Sequence, residues 1–171
     1  KPELAWPYSL AAYQTAIFIS KNAVDYALQA LDKQQASLKH LRIAAIGKAT
    51  ASALNQYGFE VNYQPVQGFT SEDLLQLPSF QALSAQSMIL FQGLGGRSML
   101  VDTLRQRGMQ VEVCSVYRRV PAPIPTIDWQ VVDWVMITSL EGLQHLATRW
   151  EPSLITKIKL LVGSHRIAEA A

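Results

Sequence analysis

Hydroxyl side chains follow several short apolar runs of the sequence, near the points where those runs end. Ser20 and Ser139 come within two residues of the end of a run, and Thr50 and Ser164 come after a run and a glycine. If each run is a strand that leads into a helix, these hydroxyls lie at helix N-termini, where free backbone N–H groups and the helix dipole favour an anion. The set therefore predicts the binding of an anionic ligand. The alternative is that Ser20 and Ser139 only cap their helices.

Four apolar runs predict the strands that must position these side chains. Each run is too short for a buried helix and is bounded by polar residues or glycine. They are 16–19, 43–46, 88–91 and 134–137. Amphipathic stretches follow, with Ser20 and Ser71 as predicted helix starts and Gly58 and Gly108 as predicted stops. This alternation favours a mostly parallel sheet covered by helices.

A proline-rich stretch divides the sequence at residues 118–127. Pro121, Pro123 and Pro125 stand at alternate positions and no helical or strand period is present, which is typical of an extended linker. Residues 1–117 can bury a core of their own, whereas 128–171 contain only two strand-to-helix units. We therefore predict a complete α/β lobe, a linker and a partial second lobe over these three ranges.

The two sides of the linker resemble each other. Residues 16–24 align with 135–143 at an offset of 119, and 43–51 align with 160–168 at an offset of 117. A duplicated α/β unit is the simplest explanation, although buried strands also resemble one another by composition alone. In a duplicated fold the hydroxyls gather at the carboxyl ends of two sheets, and a binding cleft lies between two lobes.

The charge pattern excludes several partners. The 171 residues include 15 basic and 13 acidic side chains, for a net charge of +2, and the basic residues never form a block. A nucleic-acid surface is therefore not predicted. No apolar run approaches the roughly 18 residues of a membrane span, and the N-terminus has no signal-peptide pattern, so we expect no membrane partner and a cytoplasmic location.

Metal and nucleotide sites are not predicted either. His40, His145 and His165 are far apart and lack partners at ligand spacing. Cys114, the only cysteine, lies in an alternating run and is interpreted as a buried strand residue rather than a nucleophile. The glycine-rich turn 93–97 is neither G-x-G-x-x-G nor a Walker sequence.

Short segments recur along nearly the whole chain in the order of one known family. They read IFISKNAV at 17–24, IGKATA at 46–51, SEDLL at 71–75, FQGLGGR at 91–97, VYR at 116–118 and ITS at 137–139. This ordered set resembles the uroporphyrinogen-III synthase family. No single segment is specific, and the resemblance depends on their order.

The resemblance implies two Rossmann/flavodoxin-like α/β lobes with parallel sheets, joined by a two-stranded extended linker. In that family the first strand-to-helix segment belongs to the same lobe as the final third of the chain. Against this pattern the sequence begins after that segment and stops inside the helix after Ser164. We therefore expect the second lobe to be incomplete in this chain.

The implied reaction is the closure of hydroxymethylbilane to uroporphyrinogen III in heme biosynthesis, with loss of water, inversion of the last pyrrole ring and no cofactor. The substrate cyclises unaided to the wrong isomer, so the enzyme must hold one folded conformation and favour attack through a spiro intermediate. We expect a monomer that binds a linear tetrapyrrole and makes transient contact with the enzyme that produces hydroxymethylbilane.

The resemblance also implies roles for particular side chains. Tyr117 matches the tyrosine that ends the family's Val-Tyr motif, and its phenol, which is protonated at neutral pH, could donate a proton to the departing hydroxyl. The alternative is an edge-of-core tyrosine with its hydroxyl at the surface. The expected substrate-binding residues are Ser20, Thr50, Arg97, Ser139, Lys159 and Ser164. At Ser164 the family often has threonine after the glycine, and this departure weakens the transfer of a threonine role to that position.

Two other functions stay open. A two-lobed binding protein for an anionic small molecule would bind a linear tetrapyrrole but leave its spontaneous product ratio unchanged. A nucleotide-dependent α/β enzyme would be stabilised against heat by a nucleotide.

Overall fold

A computed structural model of the chain describes residues 9–33, 37–81, 85–96, 98–123, 126–148 and 157–171. The chain forms two compact units that divide between Val120 and Pro121, inside the stretch 118–127. Within the described residues, no helix is long and apolar enough to cross a membrane.

The first unit contains a parallel sheet. Its strands are β1 (Thr15–Phe18), β2 (Arg42–Ala45), β3 (Ser87–Gly93) and β4 (Gln110–Tyr117). They lie in the order β2-β1-β3-β4, and every neighbouring pair is parallel. Because strands of such a sheet are buried on both faces, they read in the sequence as continuous apolar runs. The predicted α/β fold with parallel strands is confirmed, and strand bounds differ from the predicted runs by a few residues at most.

Helices cover both faces of this sheet. They are α1 (Lys21–Lys33), α2 (Lys48–Gln56), α3 (Ser71–Leu75), α4 (Pro78–Gln81) and α5 (Met99–Gln106). Alternate residues of β1 point to opposite faces, so Ala16 and Phe18 pack with α1 and α2, whereas Ile17 packs with α3, α4 and α5. The core of the unit is therefore two apolar layers separated by the sheet.

The observed ends of the helices agree in part with those predicted from the sequence. Gly58 and Gly108 have φ angles of +80° and +83° just beyond α2 and α5, a left-handed conformation that favours glycine and stops a helix. Helix α3 begins at Ser71, but its cap is Thr70, one residue earlier than the predicted opening. The sequence does contain this signal, since Thr70 and Asp73 have the spacing of a capping box.

The capping box of α3 is a testable source of stability. The Asp73 N–H donates to Thr70 Oγ1 at 3.3 Å, and the Thr70 N–H donates to the Asp73 carboxylate at 2.8 Å. Hydrogen bonds from the Thr70 side chain and backbone hold the pKa of Asp73 below its ordinary value. Replacing a threonine N-cap with alanine costs about 1 kcal/mol, and we expect this loss for Thr70→Ala at pH 7.

The effect of Thr70→Ala depends on pH because the folded-state pKa of Asp73 is lowered. The stabilisation by ionised Asp73 is present at neutral pH and is lost as the pH falls through that folded-state pKa. Urea unfolding of both proteins should therefore show a difference in free energy of unfolding that narrows in acid. An equal difference at neutral and acid pH would contradict this assignment.

Among the described residues, the second unit contains one parallel strand pair, two α-helices and a 3-10 helix at Trp129–Val131. The strands and α-helices are β5 (Trp134–Ile137), α6 (Leu140–Ala147), β6 (Lys159–Val162) and α7 (His165–Ala168). Residues Trp134 and Lys159 are paired, as Thr15 and Arg42 are in the first unit. Trp134 follows Thr15 by 119 residues, and Lys159 follows Arg42 by 117 residues. These are the same offsets at which the two sides of the linker align in the sequence.

Cys114 is confirmed as a buried strand residue. It lies in β4 with 4% of its surface exposed, and burial, together with the charge of Glu112, raises the pKa of its thiol to about 12. Because the thiolate is the reactive form, we expect no alkylation of the folded chain by iodoacetamide at pH 8 and one adduct after unfolding in urea. Mass spectrometry distinguishes the two states, and equal labelling with and without urea would overturn the assignment.

Candidate functional site

The carboxyl ends of β1 and β3 meet where the strand order of the first sheet reverses. The chain passes from β1 to β2 on one side, and β3 lies on the other side. In open parallel sheets, ligands bind in the crevice outside the strand ends at such a point. Ser20 follows β1 here, and the glycine-rich turn that begins at Gly93 follows β3. The fold therefore brings two of the sequence features to the edge of the sheet where such a crevice is expected.

The phenol of Tyr117 reaches the same edge of the sheet from the neighbouring strand. Tyr117 ends β4, and its ring lies so close to Gly93 that a Cβ built there would be 2.7 Å from Cζ of the ring. The hydroxyl oxygen is 3.5 Å from Ser20 Oγ, and either hydroxyl can donate. The ring of Tyr26, in the second turn of α1, stacks on the ring of Tyr117 with centroids 5.4 Å apart. Three residues, from β3 and from α1 with its cap, thus contact the side chain of Tyr117.

Ser20 has two partners. Its Oγ accepts a hydrogen bond from the Ala23 N–H at 3.2 Å, which caps α1, and the same oxygen faces Tyr117. The interpretation of Ser20 as a helix cap is therefore confirmed, and the structure adds the contact with Tyr117. Tyr117 belongs to the core layer of α1 and α2, with 6% of its surface exposed. Its hydroxyl end lies beside Ser20, which is half-buried.

A polar cluster follows β2 at the same edge of the sheet. Gly47 precedes α2 with a φ angle of +126°, and the Lys48 ammonium lies 5.3 Å from the ring centroid of Phe69. Thr50 lies in the first turn of α2 and is buried, with 4% exposed. Lys48 is a cation that was not among the predicted substrate-binding residues. Its position directly after a strand and a glycine could have predicted it as a candidate anion-binding residue.

In the second unit, two of the predicted residues, Ser139 and Ser164, lie at the carboxyl edge of the sheet. A third, Lys159, lies at the opposite edge. Ser139 caps α6 by accepting from the Gly142 N–H at 3.0 Å, and Ser164 precedes α7 without a side-chain cap bond. Both follow strand carboxyl ends and are exposed. Lys159 instead begins β6, where its ammonium lies 5.2 Å from the ring centroid of Trp134. Arg97 lies outside the described residues.

A surface cavity of about 500 Å³ adjoins β5 in the second unit. Ser139, Thr138, Trp129 and His145 are among the residues that line it. Ser139 therefore faces a space large enough for part of a small-molecule ligand.

The described residues hold no group of three or more His, Cys, Asp or Glu side chains that could bind a metal ion. Two of the histidines contact backbone carbonyls instead, His40 that of Leu10 at 3.1 Å and His145 that of Ala122 at 3.3 Å.

A parallel α/β unit with hydroxyls, a glycine-rich turn and a phenol where its strand order reverses defines an α/β protein with a candidate ligand site at the carboxyl edge of its sheet. The family model described as "Uroporphyrinogen-III synthase HemD" matches residues 3–171. The chain belongs to the uroporphyrinogen-III synthase family, whose members are lyases of tetrapyrrole biosynthesis. The family expected from the ordered segments is confirmed.

Three curated relatives carry the name uroporphyrinogen-III synthase. The Escherichia coli (strain K12) protein is 32% identical over 182 residues, which cover 99% of this chain and 74% of the relative. The Salmonella typhimurium protein is 35% identical over 76% of this chain and 57% of its own length. The Proteus mirabilis protein is 42% identical over 59% of this chain and 51% of its own length. The matches thus span between half and three quarters of the relatives.

Solved structures show the same fold. Uroporphyrinogen-III synthetase from Helicobacter pylori superposes with a TM-score of 0.72 at 16% identity, over 98% of this chain and 76% of its own. A mutant uroporphyrinogen III synthase from the extremely thermophilic bacterium Thermus thermophilus superposes with a TM-score of 0.64 at 18% identity, over 94% and 68%.

Proposed function

We propose that this chain performs its family's reaction, the closure of hydroxymethylbilane to uroporphyrinogen III with loss of water and inversion of the last pyrrole ring. The observation that carries the proposal is the Ser20–Tyr117 pair at the switch point of a parallel sheet. A phenol that could donate a proton lies there beside the N-terminus of a helix. The family membership supplies the substrate and the reaction.

The phenol of Tyr117 supplies the proton that the departing hydroxyl needs. When the C–O bond of hydroxymethylbilane breaks, water leaves and a resonance-stabilised cation remains on the tetrapyrrole. The last pyrrole then attacks this cation through the pyrrole's own substituted carbon and gives the spiro intermediate. The bond from that carbon to its original methylene bridge breaks, and the bridge then bonds to the unsubstituted α carbon of the same ring. The proton lost when the pyrrole regains aromaticity restores the phenol. A general acid of this kind contributes about 10²–10⁴-fold to a rate.

The eight carboxylates of the substrate need several anion sites. The N-termini of α1, α2 and α6 follow strand carboxyl ends and offer free backbone N–H groups. Ser20, Thr50, Ser139 and Ser164 stand at or near such termini, and Lys48 adds a cation after β2. Arg97 and Lys159 stay predicted substrate contacts, and Lys159 lies at the opposite edge of its sheet from Ser139 and Ser164.

We also propose that the two units are the lobes of a two-lobed enzyme. The second unit has only two described strands, and the matched relatives are longer than this chain, so we infer that its lobe is incomplete here. We propose that the enzyme is monomeric and cytoplasmic, and that it contacts the enzyme that produces hydroxymethylbilane only transiently. These properties suit a substrate that cyclises unaided.

The direct test supplies freshly made hydroxymethylbilane to the full-length protein and separates the cyclised products by chromatography. We expect mostly isomer III. Only isomer I, formed at the uncatalysed rate, would refute the proposal and favour the non-catalytic binding protein. The matched blank is the same reaction with heat-denatured protein, which gives the spontaneous product ratio.

A further inference from the structure

The strand that carries Tyr117 changes register just before its end. Gln92 pairs with Ser115, whereas Gly93 pairs with Tyr117, so Val116 is one extra residue in β4. Strand residues alternate between the two faces of a sheet, and a bulge changes which face the next side chain takes. Val116 and Tyr117 accordingly both pack in the core layer of α1 and α2, although they are consecutive.

The bulge directs the phenol across the end of β3, and Gly93 makes that path possible. A Cβ at position 93 would lie 2.7 Å from Cζ and 2.8 Å from Cε2 of the Tyr117 ring. Any side chain at this position would therefore push the ring away. The Leu94 N–H donates to the Tyr117 carbonyl at 2.8 Å, which ties the backbones of the two strands together at the same point.

Helix α1 holds the phenol from the other side. Its cap, Ser20, faces the hydroxyl at 3.5 Å, and Tyr26 stacks on the ring at a 25° interplanar angle. Tyr26 is half-buried and packs against the core layer. The hydroxyl and the ring of Tyr117 are thus each contacted by a residue of one rigid helix region.

We propose that the Val116 bulge, Gly93 and Tyr26 form a positioning device that aims the Tyr117 hydroxyl at the reacting centre. This inference rests on the proposed synthase function and adds two positioning residues, Gly93 and Tyr26, to it. Displacement of a reacting group by about 1 Å can cost about 100-fold in rate. Because spontaneous closure to isomer I competes, a misaimed phenol lowers the yield of isomer III.

The first experiment compares Tyr26→Leu with Tyr26→Phe in the full-length protein. Leucine removes the stacked ring, and phenylalanine keeps it. We expect kcat for isomer III to fall about 10-fold in Tyr26→Leu, with KM changed less than two-fold, and to be restored in Tyr26→Phe. Tyr57→Leu, the same change at a half-exposed tyrosine at the end of α2, is the matched control and should keep the wild-type kcat.

The second experiment tests whether Gly93 acts through Tyr117. Gly93→Ala alone should lower kcat for isomer III about 10-fold or more. In a Tyr117→Leu background, where the overlapping ring atoms are gone, the same substitution should change kcat less than two-fold. Circular dichroism at the assay temperature shows whether each variant is folded. If Gly93→Ala is not folded, the Tyr26 variants alone test the positioning device.

The outcomes separate the two proposals. A wild-type protein that yields only isomer I refutes the synthase function. A wild-type protein that yields isomer III, together with wild-type kcat in Tyr26→Leu and in Gly93→Ala, refutes the positioning device alone. An equal loss from Gly93→Ala with and without the Tyr117 ring also refutes it, because the glycine would then act through the turn that follows β3.

Discussion

Tyr117→Phe should lower kcat for formation of uroporphyrinogen III by about 100-fold in the full-length protein. The substitution removes only the hydroxyl. The ring that stacks on Tyr26 and crosses Gly93 stays in place, and Ser20 keeps its bond from the Ala23 N–H. The expected loss of rate therefore comes from the missing proton donor and not from a change of structure. KM should stay within a few-fold of the wild-type value.

Initial rates with fresh hydroxymethylbilane, with both isomers separated by chromatography, measure the effect of Tyr117→Phe. Tyr57→Phe is the matched control, because that tyrosine is half-exposed and lines a cavity with Leu28 and Asp32, in the second half of α1 and not at its Ser20 end. Since the lost hydrogen bond is long, at 3.5 Å, the free energy of unfolding should fall by less than about 1 kcal/mol. A variant with the wild-type kcat would show that another group supplies the proton.

Phe91→Ala should lower the free energy of unfolding of the first unit by about 4 kcal/mol. Phe91 lies in the middle of the sheet, on β3, with no exposed surface, and its ring stacks on that of Phe18 with centroids 4.7 Å apart. Truncation removes a large apolar surface from both partners and leaves a cavity between α1 and the sheet. The loss is large because strands on both sides of Phe91 hinder collapse into that cavity.

Urea unfolding followed by far-ultraviolet circular dichroism measures the loss in Phe91→Ala. In a Trp6→Phe background the remaining tryptophans are Trp129, Trp134 and Trp150, which all fall in the range of the second unit, so their fluorescence reports whether that unit is disturbed as well. Val66→Ala is the control, since Val66 is 88% exposed and should change stability by less than about 0.5 kcal/mol. A loss below about 1 kcal/mol in Phe91→Ala would show that the core refills the space.

The strands that could be predicted are those whose composition reflects burial on both faces. Three runs of the first unit and one of the second became β1, β2, β3 and β5. Local signals also predicted Ser20 and Ser139 as helix caps, since a cap depends on backbone groups only three residues away. The position of Lys159 at the start of a strand was available too, because it precedes the apolar run that became β6.

The sequence by itself determined the alternation of strands and helices, the family and the residues that could act at strand ends, because these depend on local composition and on the order of segments. Only the tertiary structure decided that Ser20 and Tyr117, 97 residues apart, meet, and that Tyr26 and Gly93 both contact the phenol. Those contacts arise from the crossover that places β3 beside β1 and from a one-residue bulge in β4. Neither the crossover nor the bulge can be predicted from the neighbouring residues in the sequence, because strand order and register depend on the packing of both faces of the sheet.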